Sequence, residues 1–431
     1  MKNNQAATFW RYRWIIFLIL ALAYLIVYFH RLSLSVVAND LVKTFEATAS
    51  AMGLLGSIYF YCYALMQIPA GLLSDSIGPR KTVTFSLLVA SLGSVIFGLA
   101  PNLGIAFLGR VMVGLGVSMV FIPTMKILSQ WFLKGEFALM TGILNAIGGI
   151  GVLAATWLLA WMTGLMGWRV SFELIGACTF GVVVLTWLAV RDRPEDKGWL
   201  PVKALEAQSA ETAPQQISLR EGLKRVIREK YFWPLGLWFF FDCGVFFGFG
   251  GLWGGPYLMH VYGMTRSEAG AILSMIAWGM IVGSPLLGLL SDKILKSRKK
   301  TIIICNGLLL ADLLFLNIFP NDLPRAALYA VFFVFSVASS AIVIIGFTTT
   351  KELFPVEIAG TSVGMVNFFP FLGGAVFMPG LGRVIDTFPK SAQGVYSMEA
   401  YTALLLILLA ASVVSLIMAF LMKETLSKKT A

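Results

Sequence analysis

The chain has 431 residues, of which 58% are hydrophobic and 13% charged, with a mean hydropathy of +0.82 and a formal net charge of +11. This composition excludes a water-soluble globular domain and places most of the mass in lipid. The positive excess does not mark a nucleic-acid binder. Only Lys43, Arg169, Arg266, Arg325, Arg383 and Lys390 fall in loops on the side opposite the termini. Arg31, Arg110 and Lys126 fall within apolar runs, and every other Lys and Arg lies on the side of the termini. That asymmetry is the positive-inside pattern, and it orients both termini toward the cytoplasm, as expected for a multi-pass protein of a bacterial inner membrane.

A helix needs about 20 apolar residues to cross the hydrocarbon core. Runs at 14–37, 51–71, 81–100, 104–127, 137–162, 170–190, 231–258, 267–290, 301–319, 325–348, 359–383 and 401–422 predict an all-α membrane protein with twelve transmembrane helices. The first run exceeds a signal-peptide core, and its Ala-x-Ala triplet, Ala21 to Ala23, falls inside it. It is therefore expected to remain as the first span. Cys62, Cys178, Cys243 and Cys305 all lie in apolar runs and read as small buried side chains rather than as disulfides or a metal site.

The first span carries the strongest functional signal. An ionised side chain in mid-membrane costs roughly 2.5–3.5 kcal/mol on insertion scales, so each one needs a partner or a purpose. Arg31 lies well past the middle of the run in YFHRLSLSVV, on one helical face with Tyr24 and Tyr28. A guanidinium is permanently charged and offers paired donors suited to a carboxylate or phosphate. Arg31 is accordingly the candidate anchor for a substrate anion; the competing reading is a structural arginine that snorkels or meets backbone carbonyls. His30 beside it is a candidate proton carrier or a satisfied interior group. On the second span, Tyr59 and Tyr63 are an i,i+4 pair able to donate to a carboxylate or to serve as packing.

The loop after the second span reads GLLSDSIGPRKT, Gly71 to Thr82, and returns half a chain length later as GLLSDKILKSRKKT, Gly288 to Thr301. A second echo pairs Phe132–Asn145 with Phe354–Asn367 and keeps Gly142 with Gly364 and Asn145 with Asn367. Two landmarks in the same order predict two pseudo-symmetric six-helix bundles, 1–190 and 231–431. The linker 191–230 is polar and Pro-bearing at first. It closes on a basic amphipathic segment, where Ile217, Leu219, Leu223, Val226 and Ile227 alternate with Arg220, Lys224, Arg225 and Arg228, expected at the inner membrane surface.

Gly71, Leu73, Asp75, Gly78, Arg80 and Lys81 resemble the major facilitator superfamily signature Gly-x-Leu-x-Asp-x-x-Gly-x-Arg-Lys, and the resemblance extends over the whole chain. Arg110, Gly114 and Gly116 resemble the Arg-x-x-x-Gly-x-Gly motif of its fourth helix. The second loop departs from the signature, with Leu295 where a glycine is expected, so that Gly288, Asp292 and the basic tail carry over. The resemblance implies the major facilitator fold and a gating role for Gly71, Asp75, Gly78, Arg80, Lys81 and Asp292. In physical terms, Gly78 and Pro79 supply the turn. Asp75 can face the N-terminus of a helix from the opposite half, and Arg80 and Lys81 stay at the lipid headgroups.

FHRLSLSVV is further similar to the Asp-Arg-x-x-x-Ser segment of the anion:cation symporter family, with His30 in place of the Asp. That family's organic-acid carriers imply anion binding at Arg31 and proton coupling. YALMQIPAG, Tyr63 to Gly71, is similar to the sugar-phosphate branch, but that branch's second arginine, in the seventh span, has no counterpart here.

On the fourth span, Arg110 and Lys126 are 16 residues apart, roughly 24 Å along a helix, too far to share one small ligand. Arg110 reads as structural; Lys126 is either a second cationic contact or an interfacial side chain. In the second half, Asp242 is a candidate counter-charge to Arg31 or proton carrier, with helix packing as the alternative, and Asp312 reads as structural. Gly248 to Leu258, GFGGLWGGPYL, is too glycine-rich for an unbroken helix, so a bend is expected there with Trp253 facing ligand. Asn367 completes the candidate substrate set. No nucleophile triad, phosphate loop or zinc set is present, which argues against an enzyme and implies no cofactor.

These features predict a secondary active transporter for a small organic anion of carboxylate type, working by alternating access, with proton symport favoured over exchange. It is expected to act as a monomer in the lipid bilayer. A lipophilic-cation efflux carrier and a transporter-like ligand sensor are the rivals.

Overall fold

The computed structural model describes residues 3–200, 219–341, 343–355, 358–391 and 395–426. Its helices run in chain order as α1 (Asn3–Leu32), α2 (Leu34–Phe45), α3 (Ala49–Ser76), α4 (Pro79–Leu99), α5 (Leu103–Ser118), α6 (Phe121–Trp131), α7 (Lys134–Leu153) and α8 (Leu159–Ala189). The linker contributes α9 (Leu219–Arg228), and Ile217 lies outside the described residues. There follow α10 (Phe232–Val245), α11 (Gly254–Val261), α12 (Arg266–Leu289), α13 (Arg298–Ile318), α14 (Arg325–Ser336), α15 (Val343–Leu353), α16 (Ala359–Asp386) and α17 (Met398–Leu421).

Eleven stretches among the described residues are long and apolar enough to span a bilayer, and one of them, Leu139–Ala189, holds two spans. Gly167 breaks it with φ 76° and ψ 163°, a left-handed conformation that glycine adopts at little cost. The result is the twelve-helix architecture expected. Helix starts follow local chemistry. Asn102 Oδ1 accepts the Ile105 amide at 3.0 Å to begin α5, and Thr265 with Glu268 forms a capping box for α12. The bend expected around Gly248 is a π-helical segment, Phe246–Trp253, between α10 and α11.

The chain separates into two compact units. The first holds Met1–Arg31, Cys62–Val152 and Leu165–Ala213; within it α4 packs along α5. The second holds Leu32–Tyr61, Leu153–Gly164 and Pro214–Ala431. It thus gathers parts of the first, second and fifth spans, on the side away from the termini, onto the second half of the sequence. Inside it α10 packs along α16 and α17, and α13 along α17. One unit boundary thus falls within the linker, and the others cut across the first, second and fifth spans. α9 buries Gly222 and Val226 and packs on α16, with Ile227 left exposed. Of the four cysteines, Cys62, Cys243 and Cys305 are buried as expected, whereas Cys178 is exposed on the outer face of α8.

Candidate functional site

Arg31 occupies the last turn of α1, half-buried in the first unit. Its guanidinium carbon lies 4.3 Å from the centroid of the Tyr28 ring and 5.3 Å from that of Tyr63, within the range of cation–π attraction. Tyr28 is itself placed by neighbours. Its hydroxyl donates to Asn145 Oδ1 at 3.5 Å and accepts from the Tyr24 hydroxyl at 3.4 Å, both long contacts. The Tyr24 ring meets it edge-on at 5.0 Å and leans on Phe121 at 5.7 Å. The helical spacing anticipated the Tyr24–Tyr28–Arg31 face; the structure adds Tyr63 from α3 and Asn145 from α7.

His30 faces elsewhere. It is fully buried, and both terminal nitrogens of Arg110 point at its backbone carbonyl, at 3.5 and 3.4 Å. Arg110 is itself buried, in keeping with its structural reading. Adjacent in sequence, His30 and Arg31 serve different surroundings because successive helical residues turn by roughly 100°.

Lys126 does not stand as a free cationic contact. Its ammonium donates to Asp75 Oδ1 at 2.5 Å and to the Ser74 carbonyl at 3.0 Å, closing the end of α3 onto α6. Asp75, expected to face a helix N-terminus from the other half, is engaged in this pair instead and is largely exposed.

Within the same loop Gly78 has φ 94° and starts α4, with Pro79 as the first helical residue. Gly71 has open space where a side chain would project. Arg80 is held by the end of α8. Its amide donates to Asp192 Oδ1 at 2.6 Å, its guanidinium to the Trp187 carbonyl, and it lies 4.6 Å from the Trp187 ring. Lys81 is exposed.

The second loop repeats this plan with other residues. Arg298 pairs with Asp292 and, at 3.0 Å, with Glu352, while its amide donates to Glu424 Oε1 at 3.0 Å. Asp192 and Glu424, just beyond the last helix of each half, thus receive the corresponding amides. The left-handed turn residue missing at Leu295 is supplied by Lys296, with φ 46°.

In the second unit Trp253 is 2% exposed, and its indole N–H donates to the Met378 carbonyl at 3.2 Å. It braces two helices, so its polar edge is spent on backbone rather than on ligand. Tyr59 is fully buried in this unit, and Asn367 is half-buried on α16. Asp242 is fully buried on α10, and neither carboxylate oxygen has a hydrogen-bond partner among the described residues. No group of three or more metal-ligating side chains occurs among the described residues.

The sequence profile of the Major Facilitator Superfamily matches residues 17–378 and, separately, 240–430. The chain belongs to the Major Facilitator Superfamily. It is a multi-pass integral membrane protein of a transport family, not an enzyme. Within the Major Facilitator Superfamily it is similar to the "Probable galactarate/D-glucarate transporter GarP" of Escherichia coli K12, 25% identical over 391 residues, 83% of this chain and 84% of that one. The membrane sensor protein UhpC of Salmonella typhimurium is 26% identical over 401 residues, 89% and 88% of the two chains. The "Probable sulfoacetate transporter SauU" of Cupriavidus necator is 25% identical over 289 residues, 64% of each. A bacterial homologue of the human lysosomal transporter Spinster, solved inward-facing and unoccupied, superposes with a TM-score of 0.75 at 19% identity, over 95% of this chain and 97% of that one. That likeness shows a shared fold.

Two residues at the site went unassigned in the sequence reading. Asn145 entered only as half of a repeat pair. Gly148, one turn later on α7, leaves room for the tyrosines: a side-chain carbon there would lie 3.0 Å from the Tyr28 ring and 3.3 Å from that of Tyr24.

Proposed function

We propose that the protein is a secondary active transporter that carries a small organic anion, of carboxylate type, by alternating access between two six-helix bundles, 1–190 and 231–431. Both termini and the linker face the cytoplasm of a bacterial inner membrane, and the monomer is the working unit. The observation that carries this reading is the Arg31 guanidinium set between the Tyr28 and Tyr63 rings late in the first span. Aromatic faces hold the cation in place, and a guanidinium is the kind of group that recognises a carboxylate. The relatives' names support an anion, because galactarate, D-glucarate and sulfoacetate all carry carboxylates.

Uptake is coupled to protons, with Asp242 as the group that takes up and releases them: it is a sealed carboxylate with no hydrogen-bond donor among the described residues. An efflux carrier for lipophilic cations is disfavoured because the first and fourth spans carry Arg31, Arg110 and Lys126 where such a carrier needs an acid. The likeness to UhpC keeps one second reading in play, a sensor that binds without moving its ligand.

Proteoliposome uptake of labelled D-glucarate, galactarate and sulfoacetate separates these readings. Accumulation driven by a proton gradient supports symport, and counterflow without accumulation supports exchange. Binding without movement supports the sensor. No interaction with any acid, alongside export of a cationic dye, would overturn the anion reading.

A further inference from the structure

Helices α3 and α16 are each 28 residues long and carry an acid in the last turn, Asp75 one residue before the end of α3 and Asp386 at the end of α16, and neither has an acid in its first turn. The two carboxylates are in different circumstances. Asp75, on the side of the termini, is held by Lys126. Asp386, on the opposite side and inside the second unit, reaches the first turn of α3. It accepts the amides of Ala49 at 2.8 Å and Ser50 at 2.7 Å, the Ser50 hydroxyl at 2.5 Å and the Tyr396 hydroxyl at 3.2 Å. The first amides of a helix have no partner within it and carry partial positive charge, so an anion at that position satisfies them and opposes the dipole.

The two helices also meet closely. A side-chain carbon on Gly53 would lie 2.6 Å from the Pro379 Cα, and one on Gly382 would collide with the Ala49 carbonyl. Lys390 adds a contact to the Ala47 carbonyl at 3.3 Å, and Arg266 pairs with Asp40 midway along α2. The segments of the first half that belong to this unit are thus fastened to the second half at several points, and among these Asp386 gathers four donors on one carboxylate.

We infer that Asp386 is a releasable latch: by capping α3 it holds shut the side opposite the termini, and that side opens when the cap is withdrawn. The inference rests on the alternating-access reading and names the bond that must break for the cycle to proceed. Charge-assisted hydrogen bonds to a helix start are strong enough to bias the equilibrium and weak enough to be exchanged.

The test places a cysteine at Met52, fully buried one turn into α3, in a chain whose four native cysteines are replaced by serine. The detergent-purified protein is treated with a water-soluble maleimide. Asp386→Asn and Asp386→Ala should speed labelling on the order of tenfold, while Asp322→Asn, removing an exposed acid elsewhere, should leave it unchanged. Size-exclusion elution and the thermal midpoint verify folding, and the near-isosteric Asn variant carries the test if Ala does not fold. Unchanged labelling in a folded Asp386 variant overturns the latch, as does equal acceleration by Asp322→Asn. Labelling requires no substrate, so failure of the parent chain to move any acid would sink the transport reading while faster labelling in the Asp386 variants would leave the latch standing.

Discussion

The guanidinium of Arg31 sits 4.3 Å over the ring of Tyr28, three residues earlier on the same helix. Neither residue alone defines a site; together they fix a positive charge whose direction is set by an aromatic plane. Removing either property should be visible in anion binding. Arg31→Lys keeps the charge but loses the paired donors and should weaken binding roughly tenfold, about 1.4 kcal/mol, with expression intact. Tyr28→Leu removes an attraction of about 0.5–2 kcal/mol and should weaken it less. Thermal-shift titration of the purified variants against D-glucarate and sulfoacetate measures both, and affinity retained in Arg31→Lys would remove Arg31 from the site.

Gly148→Ala places a methyl group 3.0 Å from the Tyr28 ring, so the ring must yield by a few tenths of an ångström. Because that ring supports Arg31, the expected effect is a several-fold loss of anion affinity with a small change in thermal midpoint. In an Arg31→Lys background the same substitution should add little, since contacting residues couple. Additive losses in that double-mutant cycle would show that Gly148 acts through something other than Arg31.

Asp75 and Lys126 are exposed enough that their pair should contribute no more than about 1 kcal/mol to stability. Asp75→Asn should therefore leave the thermal midpoint nearly unchanged. If the carboxylate gates the side of the termini in another state, the same variant slows transport. Normal membrane insertion with an unaltered rate would deny Asp75 that role.

Gly78→Ala should destabilise the first bundle. The positive-φ extended backbone at φ 94° and ψ 146° costs a non-glycine residue about 1–3 kcal/mol, and the added carbon would lie 2.7 Å from Asp192 Oδ2. Adding Asp192→Ala relieves the collision but not the strain, so a partial recovery of the melting temperature is expected.

Glu424 gives a pH-dependent outcome. Burial pushes its acid upward, but hydrogen bonds from the Ser297 hydroxyl and from the amides of Leu426, Arg298 and Lys299 outweigh this and leave it below the usual 4.5. Its stabilising effect is therefore fully present above pH 4.5 and lost as pH falls through the lowered value. The gap in thermal midpoint between the parent and Glu424→Gln should be open at neutral pH and close on acidification; a gap that widened in acid would reverse the assignment.

The sequence made the span pattern and the repeat readable because hydropathy and glycine-rich turns are local properties. The Tyr24, Tyr28 and Arg31 face was equally readable, since steps of four and three residues fix a helical side without knowledge of any neighbour. Contacts across helices were not. Nothing in the periodicity of α7 singles out Asn145 or Gly148, which matter only because α1 lies against them. Lys126 and Trp253 were offered to a ligand, yet the structure gives their donors to Asp75, Ser74 and Met378. Backbone carbonyls at helix ends and kinks are acceptors that a one-dimensional reading cannot locate. The missing glycine at Leu295 misled for a related reason: one inserted residue moved the left-handed position to Lys296.

The tie between Glu424 and the start of α13 bears on how the protein can be handled. A reporter or affinity tag joined directly after Leu421 would delete the acid that receives the Arg298 amide and the Ser297 hydroxyl. Attached beyond Leu426, it would spare both. Short trimming of what looks like a dispensable tail would then register as a folding defect in a loop more than a hundred residues upstream.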